Sequence, residues 1–155
     1  MYFSVIESPI GKVLISSDGE FLRGLCFSPF ELPPECNNDL PIFKETQQQL
    51  AAYFAGELKS FDLPIHLEGS PFQLRVWQEL LKIPYGMTLS YKQLAERVGD
   101  GKSIRAVGRA NGQNPIPIIV PCHRVIGSNG QLVGYGGGID KKLFLLKLEK
   151  SILLD

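Results

Sequence analysis

The sequence predicts a small α/β unit over residues 1–69 followed by a mainly helical domain over residues 70–155. Three observations lead there: short apolar runs separated by turn residues at the start, two helix-capping boxes after residue 70, and a charge balance that changes sign between the parts. Tyr2–Glu7, Lys12–Ser17 and Phe21–Phe27 are the expected strands, divided by Pro9-Ile10-Gly11 and Asp18-Gly19-Glu20. Phe43–Gly56, with Leu50, Tyr53 and Phe54 on one side, is an expected amphipathic helix, and Pro29, Pro33, Pro34 and Pro41 make the stretch before it a loop.

The texture changes near Pro64. Ser70-Pro71-Phe72-Gln73 supplies an N-cap, a proline at the first helical position and a glutamine at N3. Phe72, Val76, Leu80 and Ile83 follow at helical spacing until Pro84 stops the helix. A second box, Ser90-Tyr91-Lys92-Gln93, opens a helix to about Val98. Gly99-Asp100-Gly101 is an expected turn and Ser103–Ala110 a further helix, so two short helices flank a glycine turn, the second bearing arginines. That pattern fits a DNA-binding helix-turn-helix, but it equally fits two helices that only pack.

Composition bounds the function. The 155 residues are 44% apolar and 21% charged, ordinary globular make-up, and no apolar run approaches the roughly 20 residues a bilayer needs. The start, Met1 to Glu7, lacks a basic region followed by an apolar one, so no signal peptide is expected. Three cysteines, Cys26, Cys36 and Cys122, form no framework, which points to free thiols in a reducing, cytoplasmic setting. A net charge of zero conceals a gradient: −6 over residues 1–69, +5 over 70–125 and +1 over 126–155. The basic middle contains Arg75, Lys82, Lys92, Arg97, Lys102, Arg105, Arg109 and Arg124, as a segment meeting an anionic partner would, although a surface mosaic has the same sum.

The chemistry lies in Asn114-Pro115-Ile116-Pro117-Ile118-Ile119-Val120-Pro121-Cys122-His123-Arg124-Val125. Prolines fix φ and remove donors, so the expectation is a stiff, extended segment that delivers Cys122 beside a histidine and an arginine. A thiol is a strong nucleophile only as thiolate, and neighbouring cations or a base lower its pKa from about 8.5, which predicts a depressed value at Cys122. Cys26 and Cys36 lack such company and are expected to be structural.

Pro121-Cys122-His123-Arg124-Val125 resembles the active-site signature of the O6-alkylguanine-DNA alkyltransferases, or methylated-DNA–protein-cysteine methyltransferases. Ser90-Tyr91, Arg105-Ala106-Val107-Gly108, Asn114-Pro115, Gly134-Tyr135-Gly136-Gly137-Gly138 and a leucine-rich helix ending at Glu149 agree with it in order, over the whole of residues 70–155. The resemblance implies a ribonuclease-H-like N-terminal part and a winged-helix-like helix-turn-helix. It implies that Cys122 accepts an alkyl group from O6 of guanine, that His123 is its base through a water, and that Glu149 holds the imidazole. Asn114 is implied to hold the turn at the cysteine, Tyr91 to donate to the departing guanine, and the Gly136 N–H to help at O6. The carbonyls of Cys122 and Val125 are implied to accept from the exocyclic amine, and Tyr135 to wall the pocket. Ser90, Arg124 and Lys142 join the substrate or DNA contacts.

The implied partner is double-stranded DNA containing O6-alkylguanine, bound through the minor groove with the nucleotide flipped out and Arg105 in its place, Ala106 and Gly108 permitting close approach. A monomer without cofactor is expected. No metal is expected either, because Cys26, Cys36 and His66 have spacings unlike zinc sites. Gly136 leaves room for bulky O6 substituents as well as methyl. Two other readings compete with this one. Non-catalytic alkyltransferase-like proteins have another residue where Cys122 stands, and cysteine hydrolases carry their histidine far from the cysteine in sequence.

Overall fold

The computed structural model describes residues 1–36, 39–99, 101 and 103–151. Asp100, in the expected glycine turn, and Lys102, in the basic segment, lie outside the described residues. The chain divides into two units, Met1–Leu67 and a second beginning at Glu68. In the first, β1 (Tyr2–Ile6), β2 (Val13–Ser17) and β3 (Leu22–Phe27) form an antiparallel sheet in that order. Alternation along the strands buries Ile6, Val13 and Ile15, and α1 (Pro41–Phe54) turns Phe43, Leu50 and Tyr53 inward at helical spacing. The helix starts at Pro41 rather than Phe43, because a proline in the first turn forfeits only an N–H that has no intrahelical partner.

The second unit contains α2 (Pro71–Leu80), β4 (Leu89–Ser90), α3 (Tyr91–Val98), α4 (Ile104–Gly112), β5 (Val125–Ile126) and α5 (Ile139–Leu148). Both capping boxes form: Ser70 and Ser90 accept from the N–H groups of Gln73 and Gln93, whose side chains reach back to the cap N–H. The first helix ends at Leu80, short of Ile83, as its hydrogen bonds tighten to Lys82 N–H to Glu79 O and Ile83 N–H to Leu80 O ahead of Pro84. Helix α3 ends on Gly99 at φ 74°, a conformation that suits glycine. Ser103 caps α4, which buries Val107, Ala110 and Asn111 and exposes Arg105 and Arg109. Helices α2, α3 and α4 pack mutually, and the fully buried Trp77 donates its indole N–H to the Ala110 carbonyl at 2.8 Å.

Two connections position the site. Parallel pairing of β4 with β5, Leu89 opposite Val125 and Ser90 opposite Ile126, sets the start of α3 beside the chain that follows Cys122. A single 3-10 turn, Cys122–Arg124, packs against α2 and α5. The expected extended run before it is absent. The chain folds back, with Val120 N–H bonded to Ile116 O and Ile118 at φ 75°. The prolines block a ladder as expected, but the Asn114 side chain supplies the missing bonds, and that is enough to close a turn. Among the described residues no helix is long and apolar enough to cross a membrane.

A Cβ added at Gly69 meets the Trp77 ring at 2.7 Å. Gly69→Ala is therefore expected to shift the indole and cost about 1–3 kcal/mol, the range for overpacking a filled core, read as a lower urea midpoint.

Candidate active site

Cys122 lies in the 3-10 turn and is 6% exposed. Asn114 fastens the approach to it. Its Nδ2 donates to Val120 O at 2.8 Å, and its Oδ1 accepts from Ile116 N–H at 3.0 Å. Burial pushes the Cys122 thiol up to about 11, against the pull of Asn114 and the Lys142 ammonium. This corrects the expected depression: the cations near Cys122 in sequence do not compensate for its removal from water.

His123 and Glu149 form a fully buried pair, Nε2 to Oε2 at 2.7 Å. Burial holds His123 below its ordinary 6.5, with Arg124 and Lys142 adding to the effect and Glu149 opposing it. The ring is neutral at pH 7, and an ionised carboxylate can only accept, so Nε2 carries the proton. That leaves the Nδ1 lone pair as a base, and Nδ1 is buried with no hydrogen-bond partner among the described residues. Burial alone would raise the Glu149 carboxyl, but hydrogen bonds from His123 and Arg124 prevail and hold it at about 2.

Arg124, an expected DNA or substrate contact, is engaged within the protein. Its Nε donates to Glu149 Oε1 at 2.8 Å, Nη2 to Oε2 at 3.1 Å and Nη1 to Ile83 O at 2.6 Å, with the guanidinium over the Tyr85 ring. One positive charge of the basic segment is thus spent inside the protein. Lys142 is likewise buried rather than displayed: its Nζ donates to Val133 O at 3.0 Å and lies 5.7 Å from the Tyr91 ring centroid. Burial brings its pKa down to about 8, despite the thiol's opposing pull.

Tyr91 opens α3, and its hydroxyl donates to the same Val133 carbonyl at 3.0 Å. Burial and the nearby Cys122 raise its pKa, while the Asn111 amide pulls it down. The structure therefore brings together Cys122, Asn114, Tyr91 and Lys142, with His123, Glu149 and Arg124 forming the adjoining buried network. Val125 is buried in β5, and its N–H donates to the Cys122 carbonyl. Ser90 serves as the cap of α3. Tyr135 is half-buried, and Gly136 is exposed, with nothing among the described residues within 4 Å of an added Cβ. Arg105 is exposed on α4 and Ala106 is half-buried beside it. Sequence reasoning missed Asn111, Tyr85 and the Ile83 carbonyl. Asn111 stands at a core position of α4, where periodicity alone calls for an apolar residue; an amide breaking that pattern was the available signal. Among the described residues no cluster of three or more His, Cys, Asp or Glu could hold a metal ion.

Two outcomes are expected. Iodoacetamide labelling of Cys122, followed by peptide mapping, should still accelerate above about pH 9, since the thiolate fraction keeps rising toward a pKa of about 11; a plateau below about pH 8 would mean a preformed thiolate. Glu149 has a depressed pKa, so its stabilising contribution is complete above the ordinary 4.5 and is lost as pH falls toward about 2. Glu149→Gln should flatten that acid limb in denaturation curves, and at pH 7 it should cost about 3–5 kcal/mol by leaving Arg124 buried without its partner.

Comparison with known proteins agrees with this geometry. Residues 1–67 match the family model described as the ribonuclease-like domain of 6-O-methylguanine DNA methyltransferase, and residues 71–151 match that of its DNA binding domain. The chain is 51% identical to the methylated-DNA–protein-cysteine methyltransferase of Methanosarcina acetivorans, over 97% of this chain and 99% of that protein. It is also 51% identical to the protein of that name from Mycobacterium leprae, over 96% and 92%. The crystal structure of the Mycobacterium tuberculosis OGT in complex with DNA superposes with a TM-score of 0.89 at 49% identity, covering 97% of this chain and 94% of that one. With both domain models matched in order and relatives half identical over nearly their whole length, the chain belongs to the 6-O-methylguanine DNA methyltransferase family, whose curated members here are methylated-DNA–protein-cysteine methyltransferases.

Proposed function

We propose that the chain repairs duplex DNA by flipping out O6-alkylguanine, and also O4-alkylthymine, and moving the alkyl group irreversibly onto Cys122 Sγ. The observation that carries the reading is the free Nδ1 of His123, fixed by the Nε2–Glu149 bond one residue from a buried thiol. The thiol proton passes to Nδ1 through a water, because side chains adjacent in sequence rarely face one another. Sγ attacks the alkyl carbon as the carbon–O6 bond breaks. The Tyr91 hydroxyl hydrogen-bonds the departing guanine, which takes up a proton and leaves neutral. The thiol gives one proton and the base gains one, so the balance closes without cofactor. With a thiol pKa of about 11 little thiolate exists at rest, so deprotonation accompanies attack, and the Lys142 charge favours the thiolate as it forms. A thioether is not hydrolysed at neutral pH, which makes each molecule single-use.

A base inside duplex DNA cannot reach a buried thiol, so flipping costs a few kcal/mol in lost stacking and pairing. Helix α4 offers Arg105 to fill the gap and Ala106 and Gly108 to approach the minor groove, and the DNA-bound Mycobacterium tuberculosis relative supports a DNA partner. The exposed side of Gly136 leaves space for bulky O6 substituents.

Incubation with an O6-methylguanine duplex should add one methyl group per molecule, mapped to Cys122 by peptide mass spectrometry and absent in Cys122→Ala. Multiple turnovers, or methyl on Cys26 or Cys36, would contradict the reading. Arg105→Ala should slow duplex repair at least tenfold more than transfer from free O6-benzylguanine, because only the duplex demands flipping; equal losses on both substrates would return Arg105 to packing.

A further inference from the structure

Ile104 stands at the first position of α4 and is 49% exposed. The other exposed positions of the helix are Arg105, Arg109 and Gly112, so a bulky aliphatic side chain is displayed on a surface that is otherwise basic or small. Helical spacing gives its direction. Arg105 and Arg109 are four residues apart and share the outer face, while Ile104 and Gly108 share the face beside it. That second face looks toward Tyr91, because a Cβ at Gly108 would stand 3.6 Å from the Tyr91 ring. Tyr91 is held in place by its hydroxyl, which donates to Val133 O at 3.0 Å. Ile104 therefore lies one turn before Gly108 on the Tyr91 side of α4, nearer the site than the face that carries Arg105.

We propose that Ile104 holds the displaced nucleotide outside the duplex by packing its aliphatic side chain against the deoxyribose. This rests on the proposed flipping with Arg105 as the gap filler, and adds a separate contact to it. The chemistry selects the sugar. Phosphate oxygens call for Arg or Lys, and base edges call for hydrogen-bonding groups, whereas the deoxyribose carbons are an apolar surface. An aliphatic side chain gains by covering that surface, in proportion to the area both remove from water. A β-branched residue in a helix has its χ1 already fixed, so Ile104 loses little rotamer freedom on contact. The division of labour follows from the two faces. Arg105 occupies the vacated stack, and Ile104 meets the nucleotide that has left it. A sugar contact is also indifferent to which base is damaged and to the alkyl group it bears.

Three substrates separate these contacts. Free O6-benzylguanine has no sugar, a single-stranded oligonucleotide containing O6-benzylguanine has the sugar but no duplex to vacate, and the corresponding duplex has both. Ile104→Ala and Ile104→Ser should each slow transfer from the single strand and from the duplex about three- to tenfold, as loss of part-buried aliphatic carbons requires. The free base should react at the wild-type rate, and Ile104→Val should recover most of the loss. Arg105→Ala should slow the duplex alone. The proposal is overturned by an unchanged single-strand rate, since a loss confined to the duplex would make Ile104 an aid to unstacking. Equal losses on all three substrates also overturn it, by assigning Ile104 to the pocket or the fold. If Arg105→Ala slows the duplex and the free base equally, the gap-filling role of Arg105 fails, and the single-strand rates of the Ile104 variants still decide the sugar contact.

Discussion

Glu149 keeps an ionised carboxylate at 2% exposure, where an unpaired charge costs several kcal/mol. It is tolerated because His123 and Arg124 bring three hydrogen bonds to its two oxygens. Those bonds tie the end of α5 to the 3-10 turn, and Arg124 Nη1 continues to the Ile83 carbonyl beyond α2. Three parts of the chain distant in sequence are therefore joined through the Arg124 guanidinium. The chemical consequence follows from the packing: the carboxylate can only accept, so it dictates which imidazole nitrogen keeps its proton and which stays available as a base.

The approach to Cys122 is built against local preference. Ile118 adopts φ 75°, a conformation that a β-branched residue holds at a cost of about 1–3 kcal/mol, and it is offset by burial of Ile116, Ile118 and Val120 around it. Asn114 replaces the donors that the prolines remove, accepting from Ile116 N–H and donating to Val120 O. The result is a stiff loop whose position does not depend on a sheet. Rigidity here suits the proposed transfer, in which attack on carbon requires the sulfur to be aligned along the breaking bond.

Burial gives the thiol an unusual balance. Loss of water holds it protonated, while Lys142 and Asn114 stand where a developing thiolate profits from them. Under the proposed transfer, the thiol is suppressed at rest and stabilised as it reacts, which is where stabilisation accelerates chemistry. Lys142 can occupy that place because its Nζ is bonded to Val133 O, a carbonyl it shares with Tyr91.

Local patterning reached far in this chain. The three strands, both capping boxes and the glycine stop of α3 follow from interactions within a few residues and are read from sequence periodicity and cap chemistry, while the helix that reaches Glu149 came with the family resemblance. The Pro-Cys-His-Arg-Val segment, with its ordered companions, identified the family. What sequence could not supply was the depth at which each charge sits. Arg124 and Lys142 count as two cations on paper, yet one is neutralised by Glu149 and the other faces a carbonyl and a ring in the interior. The thiol's upward shift, the turn closed by Asn114 and the buried amide of Asn111 at the Cys122 carbonyl share that origin. Sequence determined the elements and the chemical groups, because those depend on neighbours along the chain. Tertiary structure decided protonation and partnership, because desolvation and hydrogen-bond geometry depend on neighbours across space.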